Sequence, residues 1–546
     1  MKKRILIFGL AAASLLSLAS CSVEGFLKED TAISYSDGSK LDYSISRNQY
    51  SRVKTYMTRL TNVVESGNLT MYGTMQINSY FPTIIDFLMS TLDARNKEYI
   101  VYSLDKSKTT AYYLELHEMC TTIYSWYQNF LKIASKNSDF RPLFGDMTDE
   151  EIESLVSDTE SDKYYELSNQ LTTYESEYES LTQSSSTFYS DSEEIYVKII
   201  NTCKEIATEC GYDNYIDYAY EEVYSRDYTK EESSEFVTYV SNYIIPLLYD
   251  NDYKVANIKA SLNESDYEIF KQFYTEDKDN SLELFNDYIE THSDETIKNN
   301  AALFQNGCAF YATKTNSYDG AYTTLIPSED EAYCYFGTNY QDVFTIVHEF
   351  GHMNAMNYQA KNDYTSPSMD ISETQSQGNE LLFLKYIENT FTAYSDELKN
   401  SIIKYKLYDF LSTIVMATIM DEFERTIYAS DFTAEAGKLD DVMIQVCDDK
   451  FGGYDKLKEV LFDPINYYHR AIITSELYYI SYATSLIASL SLYEKAIEDY
   501  SNALSIYEKI YKIDSETYTF KTGLVNAGLS NPLSEETFEE IVKIFA

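Results

Sequence analysis

Apolar residues recur at three- and four-residue spacing along most of the chain. The pattern is clear in residues 82–92, 110–134, 193–210 and 233–245, and it continues to the end, so helices are expected from about residue 46 onward. One stretch departs from it. Residues 307–340 hold Gly307, Gly320, Pro327 and Gly337 around the aromatic run Tyr333-Cys334-Tyr335-Phe336, which predicts a short β-hairpin or two. The run Gln183-Ser184-Ser185-Ser186-Thr187 reads as a linker and divides an N-terminal helical domain, residues 46–187, from a larger one, residues 188–546. The polar, Ser/Asp-rich residues 21–45 read as a tether.

Composition narrows the fold class. Glycine (17) and proline (7) are scarce in 546 residues, whereas sandwiches and doubly wound sheets need many turn glycines. A mainly α protein follows. Hydrophobic residues at 44% are enough to build a large core. The 88 acidic residues against 43 basic ones, a net charge of -45, argue against nucleic acid as a partner and disfavour docking on anionic lipid.

The first twenty residues look like an address. Lys2, Lys3 and Arg4 precede an apolar run over residues 5–18, too short to span a bilayer comfortably and laid out as a secretory signal. It ends in Leu18-Ala19-Ser20-Cys21, which resembles a bacterial lipobox. That resemblance implies cleavage after Ser20 and lipidation of Cys21. The mature chain is then extracytoplasmic, anchored to the cell membrane through this lipid only. The other six cysteines are too scattered for a disulfide scaffold or zinc ribbon and read as buried free thiols.

The histidines carry the chemistry. There are five, and two fall in His348-Glu349-Phe350-Gly351-His352, an H-E-x-x-H sequence whose chance occurrence here is on the order of 0.01. On a helix, residues i and i+4 share a face, so both imidazoles can hold one Zn²⁺, one ion per chain. Glu349 lies beside that face, where it can take a proton from a water acidified by the metal. A third ligand is required. The extended motif would need glycine and histidine where the chain has Ala355 and Tyr358, so a carboxylate further on must serve. Glu373, in Asp370-Ile371-Ser372-Glu373, is the leading candidate; Glu380 and Glu388 are rivals on the same helix. Asp370, one turn earlier, is placed to accept the outer N–H of a ligating histidine. His117 reads as a structural helical residue and His292 as part of a surface loop.

These residues resemble the thimet oligopeptidase / oligoendopeptidase F family of zinc metallopeptidases. The likeness extends to Gly320-Ala321-Tyr322, to Phe336-Gly337-Thr338-Asn339-Tyr340, to Asp370-x-x-Glu373-x-x-Ser376-Gln377, and to Tyr482-Ala483-Thr484. It implies a helical bowl or clam around a deep channel, with short peptides as substrates and a hairpin that takes up the peptide as an added strand. Residues 188–546 become the catalytic domain. The resemblance also implies a histidine and tyrosines binding the oxyanion, for which His469, Tyr482 and Tyr479 are the candidates. A zinc-dependent endopeptidase is therefore expected. The alternatives are a helical zinc carboxypeptidase or a catalytically silent peptide-binding surface lipoprotein.

Overall fold

The computed structural model describes residues 32–545, apart from residues 109–110, 146, 158–161, 180, 250–254, 363 and 365–366. Cys21 and the signal-like run lie outside the described residues. The chain is mainly α. Strands β1 (Ala32–Tyr35) and β2 (Tyr43–Ser46) pair antiparallel with Ile33 opposite Ile45, and both isoleucines are buried. The end of the segment read as a tether is therefore a hairpin. Burying two cross-strand isoleucines outweighs the polar character of the sequence around them.

Helices α1 (Arg47–Glu65), α2 (Met71–Leu104) and α3 (Ala111–Ser135) close over that hairpin. On α1 the buried residues Val53, Met57, Leu60 and Val64 repeat at the helical interval and pack into a first core with Ile84, Leu116, Ile123 and Phe140. A second, much larger core begins with Leu41, Ile100 and Val101 and runs to the end of the chain. The helix Asp162–Glu179 contributes Leu167 to this second core, as does α4 (Phe188–Glu209) with Ile199 and Cys203. Apart from Leu41, Ile100 and Val101, the buried residues up to Ile152 belong to the first core and those from Leu167 onward to the second, so residues 183–187 do not mark the change. The serine-rich run is a turn joining two helices of one core, and its polarity reflects exposure alone.

Strands β3 (Ala309–Tyr311), β4 (Ala321–Ile326) and β5 (Glu331–Phe336) form one sheet in the order β3-β5-β4, β3 parallel and β4 antiparallel to β5. The expected hairpin is β4–β5, with β4 at the sheet edge. The β4–β5 turn is braced by α2: Asn96 Nδ2 donates to Leu325 O at 2.9 Å, Ser328 N donates to Asp93 Oδ1 at 3.1 Å, and Lys97 Nζ pairs with Glu329 at 2.6 Å.

Below the sheet, α5 (Val343–Lys361) packs against α6 (Met369–Thr390), which is buried on nearly every side. Helices α7 (Asp396–Tyr428) and α8 (Leu439–Lys450) follow, then α9 (Pro464–Ala471), α10 (Ile480–Glu498) and α11 (Tyr500–Tyr511). Helix α10 covers the far side of α6 and also meets α7. The α5–α6 crossing depends on Gly351. A Cβ there would sit 2.7 Å from Ser376 Cα and 2.8 Å from Gln375 O, backbone atoms that cannot yield. No helix among the described residues is long and apolar enough to cross a membrane.

Gly351→Ala should therefore force α5 and α6 apart. Chemical denaturation is expected to show a loss of about 1–3 kcal/mol, the usual range for overpacking a close contact, although alanine has the better helix propensity. Unchanged stability would mean that the crossing relaxes freely.

Candidate metal centre

Asp342 caps α5, its carboxylate accepting from Phe344 N at 2.9 Å and Thr345 N at 3.1 Å. The helix then carries His348 and His352 one turn apart, with ring centroids 5.0 Å from each other. Glu373 comes from the second turn of α6. Its Oε2 lies 3.5 Å from His348 Nε2 and 3.8 Å from His352 Nε2. Bonds of about 2.0–2.2 Å in tetrahedral coordination set ligand atoms roughly 3.4 Å apart, so this donor set fits a zinc-sized ion. Among the described residues these three form the one group of histidine, cysteine and carboxylate side chains gathered closely enough to hold a metal. Of the six described cysteines, Cys120, Cys203, Cys308, Cys334 and Cys447 are buried free thiols, and Cys210 is exposed.

The outer nitrogen of His348 faces Glu380, with Nδ1 and Oε1 2.7 Å apart, and Glu380 Oε2 is paired with Lys406 Nζ at 2.8 Å. With Nδ1 acting as the donor, His348 Nε2 is left free on the side of Glu373. The partner expected from the sequence was Asp370, and here the structure corrects it. Asp370 instead accepts from Tyr228 Oη at 2.9 Å and from Thr484 Oγ1, with Arg226 Nε 4.0 Å away. The reason is angular. Glu380 lies seven residues after Glu373, two full turns, and so shares its α5-facing side, whereas Asp370 is rotated toward α10. His352 Nδ1 is buried with no hydrogen-bond partner.

Glu349 points to the sheet. Its Oε2 accepts from Thr323 Oγ1 on β4 at 2.7 Å. Burial pushes the Glu349 carboxyl up to about 7, against the pull of the His348 charge and the Thr323 hydrogen bond. Burial alone would depress His348, but the hydrogen bond and charge of Glu380, with Glu373 and Glu349 nearby, hold it at about 9. No carboxylate meets His352 Nδ1, and burial, with the His348 charge, drives the ring well below the ordinary histidine value.

The remaining candidates divide. Tyr478 Oη donates to Glu373 Oε1 at 3.3 Å and lies 3.2 Å from Tyr482 Oη, so two phenols border the donor set. Burial raises both hydroxyls far above neutrality, which keeps them as O–H donors. Tyr479 turns the other way and donates to Ala471 O at 3.0 Å. His469 is also elsewhere: its Nδ1 meets Ser192 Oγ at 2.8 Å, its Nε2 meets Asp440 Oδ1 at 3.1 Å, and its ring stacks on Tyr468. It is held by α4 and α8, and its hydrogen bonds do not reach the donor set. His117 lies in α3, and His292 is buried edge-on against Tyr288 rather than in a surface loop. Tyr478 is the residue that sequence reasoning missed. Tyr478, Tyr479 and Tyr482 stand within five positions, and only the three-dimensional turn separates their directions.

Residues 288–513 match the model of Peptidase family M3. The Oligoendopeptidase F homolog of Borreliella burgdorferi is 25% identical over 244 residues, covering 43% of this chain and 38% of that protein. The chain thus matches well under half the length of its curated relative. PZ peptidase A, solved with an inhibitor, superposes with a TM-score of 0.65 at 15% identity over 91% of this chain and 97% of that one. A Bacillus anthracis protein described as an oligoendopeptidase F gives 0.63 at 16% identity over 94% and 98%. Across almost its whole length the chain shares the fold of these helical peptidases.

Two changes probe the centre. Removing the His348 partner with Glu380→Ala should weaken zinc binding roughly 10- to 100-fold, measured by competition with a chelator. Thr323→Ala removes a hydrogen bond that stabilises charged Glu349 and so raises its pKa. Were Glu349 to serve as the base of a hydrolysis, the acid limb of kcat/KM against pH would move to higher pH by roughly one pH unit.

Proposed function

Because residues 288–513 match the model of Peptidase family M3, we propose that the chain is a zinc-dependent endopeptidase acting on short peptides. The observation that carries this reading is the convergence of His348, His352 and Glu373 with Glu349 beside them, held from β4. Zinc held by those three side chains would supply Lewis acidity to the scissile carbonyl and acidify an attacking water.

The protein's own groups do the rest. Glu349, with a pKa near 7, takes the proton of the attacking water on its carboxylate and passes it to the leaving amine. Thr323 orients that carboxylate through Oε2. The Tyr478 hydroxyl, whose one proton goes to Glu373 in this structure, and the Tyr482 hydroxyl are the donors at hand for the oxygen that becomes negative, a role in which one placed donor is worth roughly 3 kcal/mol. No histidine is needed for that role. The open edge of β4 offers main-chain groups to an extended peptide, which supports loose sequence preference.

We also propose that the chain works outside the cytoplasm on a lipid anchor at Cys21. This rests on the basic start, the apolar run and Leu18-Ala19-Ser20-Cys21 alone.

A quenched-fluorescent peptide of about ten residues, blocked at both ends, tests the activity. Internal cleavage abolished by chelation and restored by zinc is the expected result. Cleavage of unblocked peptides only would move the assignment to an exopeptidase. Glu349→Gln should bind zinc one to one and lose at least ~10³-fold in kcat; retained turnover would remove Glu349 as the base.

A further inference from the structure

Tyr478 reaches the metal centre from an uncommon backbone. Among the described residues three non-glycine residues have positive φ, namely Ser225 (49°), Asp330 (52°) and Leu477 (58°). The two residues flanking Ser225 reach the Leu477 turn. Tyr224 Oη donates to Glu476 O at 2.7 Å, and Arg226 Nη2 donates to Leu477 O at 2.7 Å and to Ser481 Oγ at 3.0 Å. From the opposite side Leu477 N donates to Glu424 Oε1 on α7 at 3.0 Å. Both polar groups of the left-handed residue directly before Tyr478 are thus held by buried ionisable side chains from distant parts of the chain. A leucine does not rest in that conformation unless its surroundings impose it.

Arg226 is suited to impose it. Its side chain is fully buried, with the guanidinium carbon 4.6 Å from the Tyr220 ring centroid and 4.4 Å from that of Tyr224. Asp370, the nearest carboxylate, is 4.0 Å away, too far for a hydrogen bond, and Nε and Nη1 have no hydrogen-bond partner. The hydrogen bonds of this buried cation all run through Nη2, to the backbone on either side of Tyr478's own peptide and to Ser481. A guanidinium buried only for packing would be expected to satisfy itself on a carboxylate first.

We propose that Arg226 is a positioning residue for the reaction. By locking the Leu477 carbonyl it keeps the left-handed turn that aims the Tyr478 hydroxyl at Glu373, without touching substrate itself.

The kinetic arm of the test rests on the peptidase reading; the exchange arm does not. In the full chain, Tyr478→Phe should lower kcat by ~10- to 100-fold. Arg226→Gln should lower kcat to a similar extent, with KM within about twofold and zinc stoichiometry unchanged. The double variant should be no slower than Tyr478→Phe alone, because Arg226 acts only through that hydroxyl. Arg226→Lys, which keeps the charge but not the fork, should fall between. Hydrogen–deuterium exchange should rise at residues 474–479 in Arg226→Gln and not across α5 or α6. An unchanged kcat, multiplicative losses in the double variant, or unchanged exchange at 474–479 would each overturn the proposal. If the wild-type chain cleaves no peptide, the peptidase reading fails while exchange still decides whether Arg226 holds the turn. Should Arg226→Gln not fold, Arg226→Lys is measured instead, and unfolding of both would make Arg226 a folding residue and sink the idea.

Discussion

The site exists because two helices cross with nothing but hydrogen between them. Imidazole and carboxylate side chains have fixed reach, and a small ion needs their donor atoms roughly 3.4 Å apart. At Gly351 the backbone of α5 lies against Ser376 and Gln375 of α6 as closely as backbones can. Everything around the crossing presses it together. Asn379 Nδ2 donates to Val347 O at 2.8 Å across the two helices, and Tyr507 Oη on α11 donates to Gln375 O at 2.9 Å from behind. Helix α10 seals the outer face, so α6 has no solvent side along which to slide.

Such a crossing confines three carboxylates, Glu349, Glu373 and Glu380, with little water to shield them. Each is dealt with differently. Glu380 faces the buried cation Lys406 and stays ionised; Lys406 is itself pushed up by its acidic neighbours after burial has pulled it down. Glu373 is raised by burial and sits between two imidazoles and a phenol, an arrangement that a divalent cation would complete. Glu349, held by no cation of its own, is pushed up by burial to about 7.

What could be read from the sequence was local and periodic. The i, i+4 histidines with Glu349 between them, Glu373 on the next helix, the mainly helical class and the β4–β5 hairpin all follow from spacing along one or two elements. What could not be read needed a third element. The choice between Glu380 and Asp370 is a matter of which side of α6 faces α5. His469 lies in a helix whose side chains are claimed by α4 and α8, a pairing that spans nearly 280 residues. Tyr478 and Tyr479 leave the Leu477 turn toward different partners, Glu373 and Ala471, and a left-handed leucine leaves no mark in composition or periodicity. The polar residues at 32–46 concealed two isoleucines whose burial is set by helices arriving later in the chain.

Helix α2 has a consequence for where the working unit begins. Sequence similarity to the family starts at residue 288, which invites the view that all earlier residues are an appendage. Yet the β4–β5 turn hangs on Asp93, Asn96 and Lys97, and the first turns of α2 are rooted in the separate core built around Ile84 and Leu116. A fragment cut to the similarity boundary would keep every donor atom and lose the beam that holds the strand opposite them. A piece that keeps this brace on its own core reaches back past residue 84.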